Sequence, residues 1–386
     1  MNKYIYPLLV AQFLSVFADN MVLFTVIALV LKNAQAPGWY VPALQSVFIA
    51  AFVLLAPWVG AFADRHAKSR VLILGNLIKS AGAGLLLVNV EPLIAYSLVG
   101  VGAAVYSPAK YGILPELAGH EQLVKANSWI EASTILAILT GMSAGGWLAD
   151  KSVNLALLTT IGLFLISAAI ALILPAKASG IKVSGSKIVL FYWEIRRFFA
   201  ASRPRFIVLG GSLFWATAAC VRVIIIAWAP LVLMMRTSSD IAGLTLFLAI
   251  GIVAGAAIAP ALIPLEHLRR VRAPAYVMGV MIIALGLTDA VWPARAALFC
   301  LGMAGGLFVV PINAALQELG QHSIGSGGAV AMQNFFQNVA MLLSVGAYTL
   351  AASLQVGPVA ALLALGVLLI AATTALLLHV PETDAE

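Results

Sequence analysis

Charge is scarce in this chain. Of 386 residues only 10% are aspartate, glutamate, lysine or arginine, while 62% are hydrophobic. A soluble domain of that length has no way to wet its surface with so few charges, which excludes an ordinary globular enzyme or binding module. Cysteine is nearly missing as well. Cys220 and Cys300 both fall in apolar runs and read as small packing residues, so neither a disulfide framework nor a thiolate metal site is indicated. The five histidines (66, 120, 267, 322 and 379) lie at the ends of apolar segments without metal-ligand spacing. A phosphate loop is lacking too. GIKVSGSK (180–187) has glycines at the right spacing, but Ser186 stands where the lysine belongs and no strand precedes it. His379 and Asp384 reproduce a His-x-x-x-x-Asp spacing with no domain following them in this sequence. Together these absences predict no enzyme activity, no cofactor and no metal.

What is present is apolar sequence in long runs. A membrane-crossing helix needs ~20 apolar residues. Spans are predicted at 4–31, 41–63, 71–90, 92–115, 125–148 and 153–174, then at 205–235, 240–263, 273–291, 294–316, 326–352 and 358–380. The run after Lys3 is too long for a signal-peptide core and has no small-residue cleavage site close behind it, so it reads as the first span. The longest polar stretch, 175–204, marks the seam between a 1–174 half and a 205–386 half. Within that linker, KIVLFYWEIRRFFAA (187–201) puts Lys187, Glu194 and Arg197 on one helical face, as an interfacial or ordinary linker helix would.

The net charge of +7 invites a nucleic-acid reading, but the cations are distributed as a membrane topology requires. With the N-terminus in the cytoplasm, inside segments hold 15 lysines and arginines and outside segments 4, with Lys79, Lys110 and Arg222 inside spans. That bias predicts both termini cytoplasmic, and no nucleic-acid partner. The halves also resemble each other. VGVGAAVYSPAKYGILPEL (99–117) and LGMAGGLFVVPINAALQEL (301–319) align Gly100 with Gly302, Glu116 with Glu318 and Leu117 with Leu319; the same offset carries Glu131 onto Gln333. Internal repeats of this kind build transporters that rock about a site near the bilayer midplane. Gly141/Gly145, Gly251/Gly255 and Gly302/Gly306 have the i, i+4 spacing of close helix packing.

An ionised side chain at bilayer depth costs ~2.5–3.5 kcal/mol on insertion scales, so it persists where it meets water or a partner. Asp19 and Asn20 sit near the centre of the first span. Lys110, Glu131 and Arg222 lie at similar depth, with Tyr106, Gln333, Asn334 and Asn338 as hydrogen-bonding neighbours. This set is the candidate substrate-binding or gating site. Closed pairs, Asp19 with Arg222 or Glu131 with Lys110, are the alternative. Lys79, two turns into the third span, reads as a lysine that snorkels to the membrane face.

The second span ends in GAFADRHAKSR (60–70). Gly60, Asp64, Arg65 and Arg70 match the helix 2–3 loop of the major facilitator superfamily; Ala67 replaces its second glycine and Lys68 is basic one place early. The resemblance implies that Asp64 caps a neighbouring helix and that the cluster latches the cytoplasmic side in the outward-open state. AQFLSVFADN (11–20), GVGAAVYSPAKYGILPEL (100–117), LVKANSWIEASTILAILTG (123–141) and GGLFVVPINAALQE (305–318) further resemble the bacterial lysophospholipid transporter family, a branch of that superfamily. The likeness runs nearly end to end. It implies an all-helical fold of twelve spans in two pseudo-symmetric halves in the bacterial inner membrane. It further implies inward flipping of lysophospholipids for reacylation by an acyltransferase/acyl-carrier-protein synthetase. Substrate and membrane lipids are then the partners, and the protein acts as a monomer. For such a cargo, Arg222 and Lys110 suit the phosphate, and Asp19 or Glu131 suits an ethanolamine ammonium. A proton-coupled transporter of a small polar solute on the same fold is the alternative.

Overall fold

The computed structural model describes residues 3–31, 40–176, 187–235, 238–323 and 326–377. Among them there are helices and no strands. This follows from the solvent, since a lipid-embedded backbone must satisfy its own N–H and C=O groups and a helix does so within one segment. The helices are α1 (Ile5–Leu31), α2 (Tyr40–Arg65), α3 (Lys68–Leu87), α4 (Pro92–Gly112), α5 (Leu114–Lys151), α6 (Val153–Ala171), α7 (Lys187–Ala200), α8 (Ser202–Val232), α9 (Ser238–Leu262), α10 (Arg272–Leu287), α11 (Val291–His322), α12 (Ser326–Ser353) and α13 (Pro358–Leu377), with a 3₁₀ turn at Leu265–Val271 before α10. Twelve are long and apolar enough to cross a membrane, α10 together with the 3₁₀ turn before it; α7, of 14 residues, is not.

The chain divides into two compact units. One comprises residues 1–126, 133–195 and 317–335; the other comprises 127–132, 196–316 and 336–386. The seam at 195/196 falls inside α7, within the predicted linker. In the first unit α1 packs on α6, α3 on α4 and α6, and α2 on α4. Val22, Val26, Leu86, Val99 and Phe164 form part of its apolar core. In the second unit α10 packs on α13, and α8 on α13 and α9.

Two boundaries differ from those predicted. The polar stretch between the fourth and fifth spans is itself helical, so α5 runs 38 residues from Leu114 to Lys151. Gly119 makes the bend, at φ 67 and ψ 175, a left-handed conformation that glycine enters without steric cost. α11 likewise continues through the polar residues to His322.

The paired glycines bring backbones together. A methyl placed on Gly145 would lie 2.6 Å from the Met21 carbonyl, and one on Gly255 would fall against the carbonyl of Met303. Gly302 and Gly306 meet the carbonyls of Leu248 and Ile252 in the same way. These contacts are with backbone, which has little room to yield. Gly255→Val is therefore expected to destabilise the second unit by ~1–3 kcal/mol or more through overpacking. Gly162→Ala, with open space around its position, is expected to be neutral. Thermal unfolding in detergent compares the two; equal midpoints would contradict the close approach.

Candidate functional site

The first unit contains a polar network at membrane depth. On α1, Gln12, Ser15 and Asp19 share one face because their spacings of three and four match the helical repeat. α3 brings Asn76 and Lys79 to that face, and α6 brings Phe164 and Ser167. Lys79 Nζ donates to Asp19 Oδ2 at 2.8 Å and to Ser15 Oγ at 2.8 Å. Ser15 Oγ donates to Asn76 Oδ1 (2.7 Å), Asn76 Nδ2 to Ser167 Oγ (2.8 Å), and Ser167 Oγ to the Ala11 carbonyl (2.6 Å). The Lys79 ammonium also stands 4.5 Å from the Tyr106 ring centroid and 5.3 Å from that of Phe164, within cation–π reach. Gln12 Nε2 extends the face, donating to Ser133 Oγ at 2.6 Å.

This arrangement corrects the reading of Lys79. Its side chain is 1% exposed and ion-paired, so it does not snorkel. The desolvation of an ammonium in an apolar bundle is offset by the carboxylate, a hydroxyl and two aromatic faces. Asp19 is less enclosed, at 17% side-chain exposure. Its Oδ1 and the hydroxyl of Tyr106 are buried atoms without hydrogen-bond partners among the described residues. An unmet buried polar atom costs ~1–3 kcal/mol, so the site favours any ligand or proton that satisfies it.

The other candidates are distributed as follows. Asn20 turns back on its own helix, donating to the Val16 carbonyl at 2.9 Å. Lys110 is buried, with its ammonium 4.1 Å from the Tyr111 centroid. Glu131 is buried and accepts from Asn313 Nδ2 at 3.0 Å. Asn334 Nδ2 donates to Ser107 Oγ at 2.9 Å, while its neighbour Gln333 is buried and Asn338 half-buried. Arg222, on α8, is exposed and makes no hydrogen bond or ion pair among the described residues. Sequence reasoning missed Ser15, Asn76, Ser167 and Asn313. The helical phase of Ser15 with Asp19, and of Asn76 with Lys79, carried the signal for two of them.

The motif at the end of α2 forms a second cluster. Gly60 and Asp64 are buried, and Arg65 and Arg70 are exposed. Asp64 Oδ2 accepts from the backbone N–H of Gly328, in the first turn of α12, at 2.7 Å. A carboxylate there also complements the positive end of the helix dipole. Lys68 lies 3.8 Å from Asp64 Oδ1 and 2.8 Å from Glu116 Oε1, and is 1% exposed. The early basic residue of the motif is thus the one that bridges two carboxylates. His120 pairs with Glu318.

α7 lies against this region. Phe191 meets Phe335 edge-on with centroids 5.8 Å apart, Phe199 meets Phe336 at 4.9 Å, and Phe198 is buried. Tyr192, Trp193, Arg196 and Arg197 face outward. Glu194 therefore belongs with the packed face and Arg197 with the exposed one, in place of the shared face read from their spacing; the Lys187 side chain lies outside the described residues. Burial, aided by the Asp64 charge, pushes the Glu194 carboxyl up to about 7. A carboxyl raised in the packed state binds its proton more tightly there, so packing weakens as pH rises from the ordinary carboxylate range through about 7. Amide exchange across α7 is expected to be slower at pH 5.5 than at pH 8, after correction for intrinsic rates. Glu194→Gln should remove that difference; a variant that keeps it would exclude Glu194 as its cause. Lys32, Lys177, Lys182 and Arg236, four of the cations in the 15:4 count, lie outside the described residues, as do the 180–186 segment, His379 and Asp384.

Twelve apolar helices, a buried ion pair at bilayer depth and a carboxylate capping a neighbouring helix define a polytopic membrane transporter. The Major Facilitator Superfamily matches residues 8–345. A lysophospholipid transporter LplT of Klebsiella pneumoniae subsp. pneumoniae is 42% identical over 97% of this chain and 95% of that protein. The same-named proteins of Salmonella arizonae and Photorhabdus laumondii are 42% identical (97% of this chain, 95% of that protein) and 40% identical (95% and 93%). Among solved structures, the human organic anion transporter MFSD10 aligns with TM-score 0.77 at 12% identity, covering 96% of this chain and 99% of that one. A variant of the E. coli fucose:proton symporter FucP aligns with TM-score 0.75 at 14% identity, covering 98% of each. The chain belongs to the lysophospholipid transporter family of the Major Facilitator Superfamily.

Proposed function

We propose that this protein moves lysophospholipids such as lysophosphatidylethanolamine from the outer to the inner leaflet of the bacterial inner membrane, by alternating access. Both termini lie in the cytoplasm, in keeping with the 15:4 distribution of cations. The observation that carries the reading is the 42% identity, over nearly the whole of both chains, to a curated lysophospholipid transporter. The residues suit the cargo. The Arg222 side chain, on an apolar span, has no ion-pair partner among the described residues, and a guanidinium engages a lipid phosphate as a bidentate partner. Asp19 Oδ1 is a buried acceptor in need of a donor, which the ethanolamine ammonium supplies. The acyl chain needs only apolar surface open to lipid. The protein acts as a monomer and delivers its cargo to an acyltransferase/acyl-carrier-protein synthetase that restores the second chain.

The reading is tested in proteoliposomes with lysophosphatidylethanolamine labelled in its headgroup. Inward movement above that of empty liposomes is expected, and excess unlabelled lysolipid should suppress it. A proton gradient decides whether Asp19 also carries a coupling proton. Movement of a water-soluble cargo under a pH gradient, with no lysolipid movement, would replace this reading by the small-solute transporter.

A further inference from the structure

The second unit holds a groove that the polar site does not use. α8, α12 and α13 wall a cavity of about 630 Å³. Phe206, Leu209, Leu213 and Leu376 line it, with the small Ala340 and Ala372 leaving the space open. Arg205 lines it in the first turn of α8 and Ala216 three turns further on. Between those two residues α8 rises ~16 Å, against ~15 Å for the hydrocarbon depth of one leaflet. The groove therefore matches the depth of about one leaflet, with a cation at one end.

A smaller cavity shares the walls formed by Phe206, Leu213 and Leu376 and is lined by Arg272, the first residue of α10. Arg205 and Arg272 are both half-buried. The side chain of neither makes a hydrogen bond or ion pair among the described residues. Two partly desolvated guanidinium groups, one lining each of two cavities with shared walls, have no anionic partner among the described residues. A phosphate supplies that partner, because each guanidinium presents a fork of N–H donors matched to its oxygens. One acyl chain then fills the groove that begins beside it. Neither feature alone makes the argument; their junction has the chemistry of a single-chain phospholipid.

We propose that this groove is a second lysophospholipid site, where cargo rests in the inner leaflet after crossing. Its phosphate lies between Arg205 and Arg272 and its acyl chain runs along α8 toward Ala216. This rests on the lysophospholipid reading above and adds to it a release site within the second unit.

The test uses the full chain in proteoliposomes and a lysophosphatidylethanolamine carrying a photoreactive group on its acyl chain, with labelled peptides mapped by mass spectrometry. Labelling of α8 and α13 peptides is expected in the wild type. It should fall at least tenfold in Arg205→Ala/Arg272→Ala, persist in Arg205→Lys/Arg272→Lys, and fall in the groove-filling Ala372→Phe, which leaves both cations in place. Unlabelled lysolipid should compete, and monoacylglycerol, lacking phosphate, should not. Labelling that survives both the alanine pair and Ala372→Phe would overturn the site. Equal competition by diacyl phosphatidylethanolamine would overturn it in favour of a resident membrane phospholipid. Wild-type transport of headgroup-labelled lysolipid separates the failures: transport without groove labelling removes this site alone, and no transport removes the parent reading with it.

Discussion

Lys79→Met is expected to destabilise the protein by ~3–5 kcal/mol and to abolish transport. The single change leaves the Asp19 carboxylate buried without its counter-ion, and breaking a buried pair from one side is the costly way to lose it. Lys79 Nζ also holds Ser15 Oγ, so the chain of hydrogen bonds through Asn76 to Ser167 loses its origin. The double variant Asp19→Asn/Lys79→Met removes both charges. It is expected to recover most of the lost stability, because an uncharged, similarly shaped pair has no desolvation to offset. It should nevertheless fail to transport. Thermal unfolding in detergent and lysolipid movement, measured on the same preparations, separate the two effects. A double variant as active as the wild type would reduce the pair to a structural element, and a Lys79→Met protein of unchanged stability would contradict the burial that defines it.

The second large effect is expected at Asp64. Its carboxylate holds the Gly328 N–H at 2.7 Å and faces Lys68. A hydrogen bond to a charged group contributes ~1.5–3 kcal/mol, which corresponds to a shift of roughly 10–150-fold in a two-state population. Asp64→Ala is expected to raise amide exchange in the first turn of α12 by that order and to slow transport in parallel. Asp64→Asn, which keeps an acceptor but loses the charge opposite Lys68, should fall between. Lys68→Met should be worse for stability than either, since it leaves the Asp64 and Glu116 carboxylates without the cation between them. Unchanged exchange at Gly328 in Asp64→Ala would contradict a latching role for this contact.

The sequence made the scale of the molecule legible and hid its pairings. Long apolar runs and the one-sided cations announce the spans because the bilayer imposes length and charge rules on each segment separately. The glycine pairs were legible for the same reason, since close packing needs only a local i, i+4 spacing. Lys79 was not. Whether it reaches the membrane face or Asp19 depends on the register of α3 against α1, a tertiary fact with no local signature. The fourth predicted span stops at 115 and the fifth starts at 125 because the residues between them are polar. Helix forms on both sides of Gly119, whose non-helical conformation kinks the chain there. Glu194 was placed with Arg197 by spacing, but the aromatic contacts of Phe191 and Phe198 set the face that packs.

The central claim is that a lysophospholipid headgroup passes the buried carboxylate of α1. Its most direct test compares wild type with Asp19→Asn in spheroplasts at matched protein level, following inward movement of headgroup-labelled lysophosphatidylethanolamine. The variant is expected to insert normally and to move no lysolipid above background. Wild-type rates in Asp19→Asn would contradict the claim.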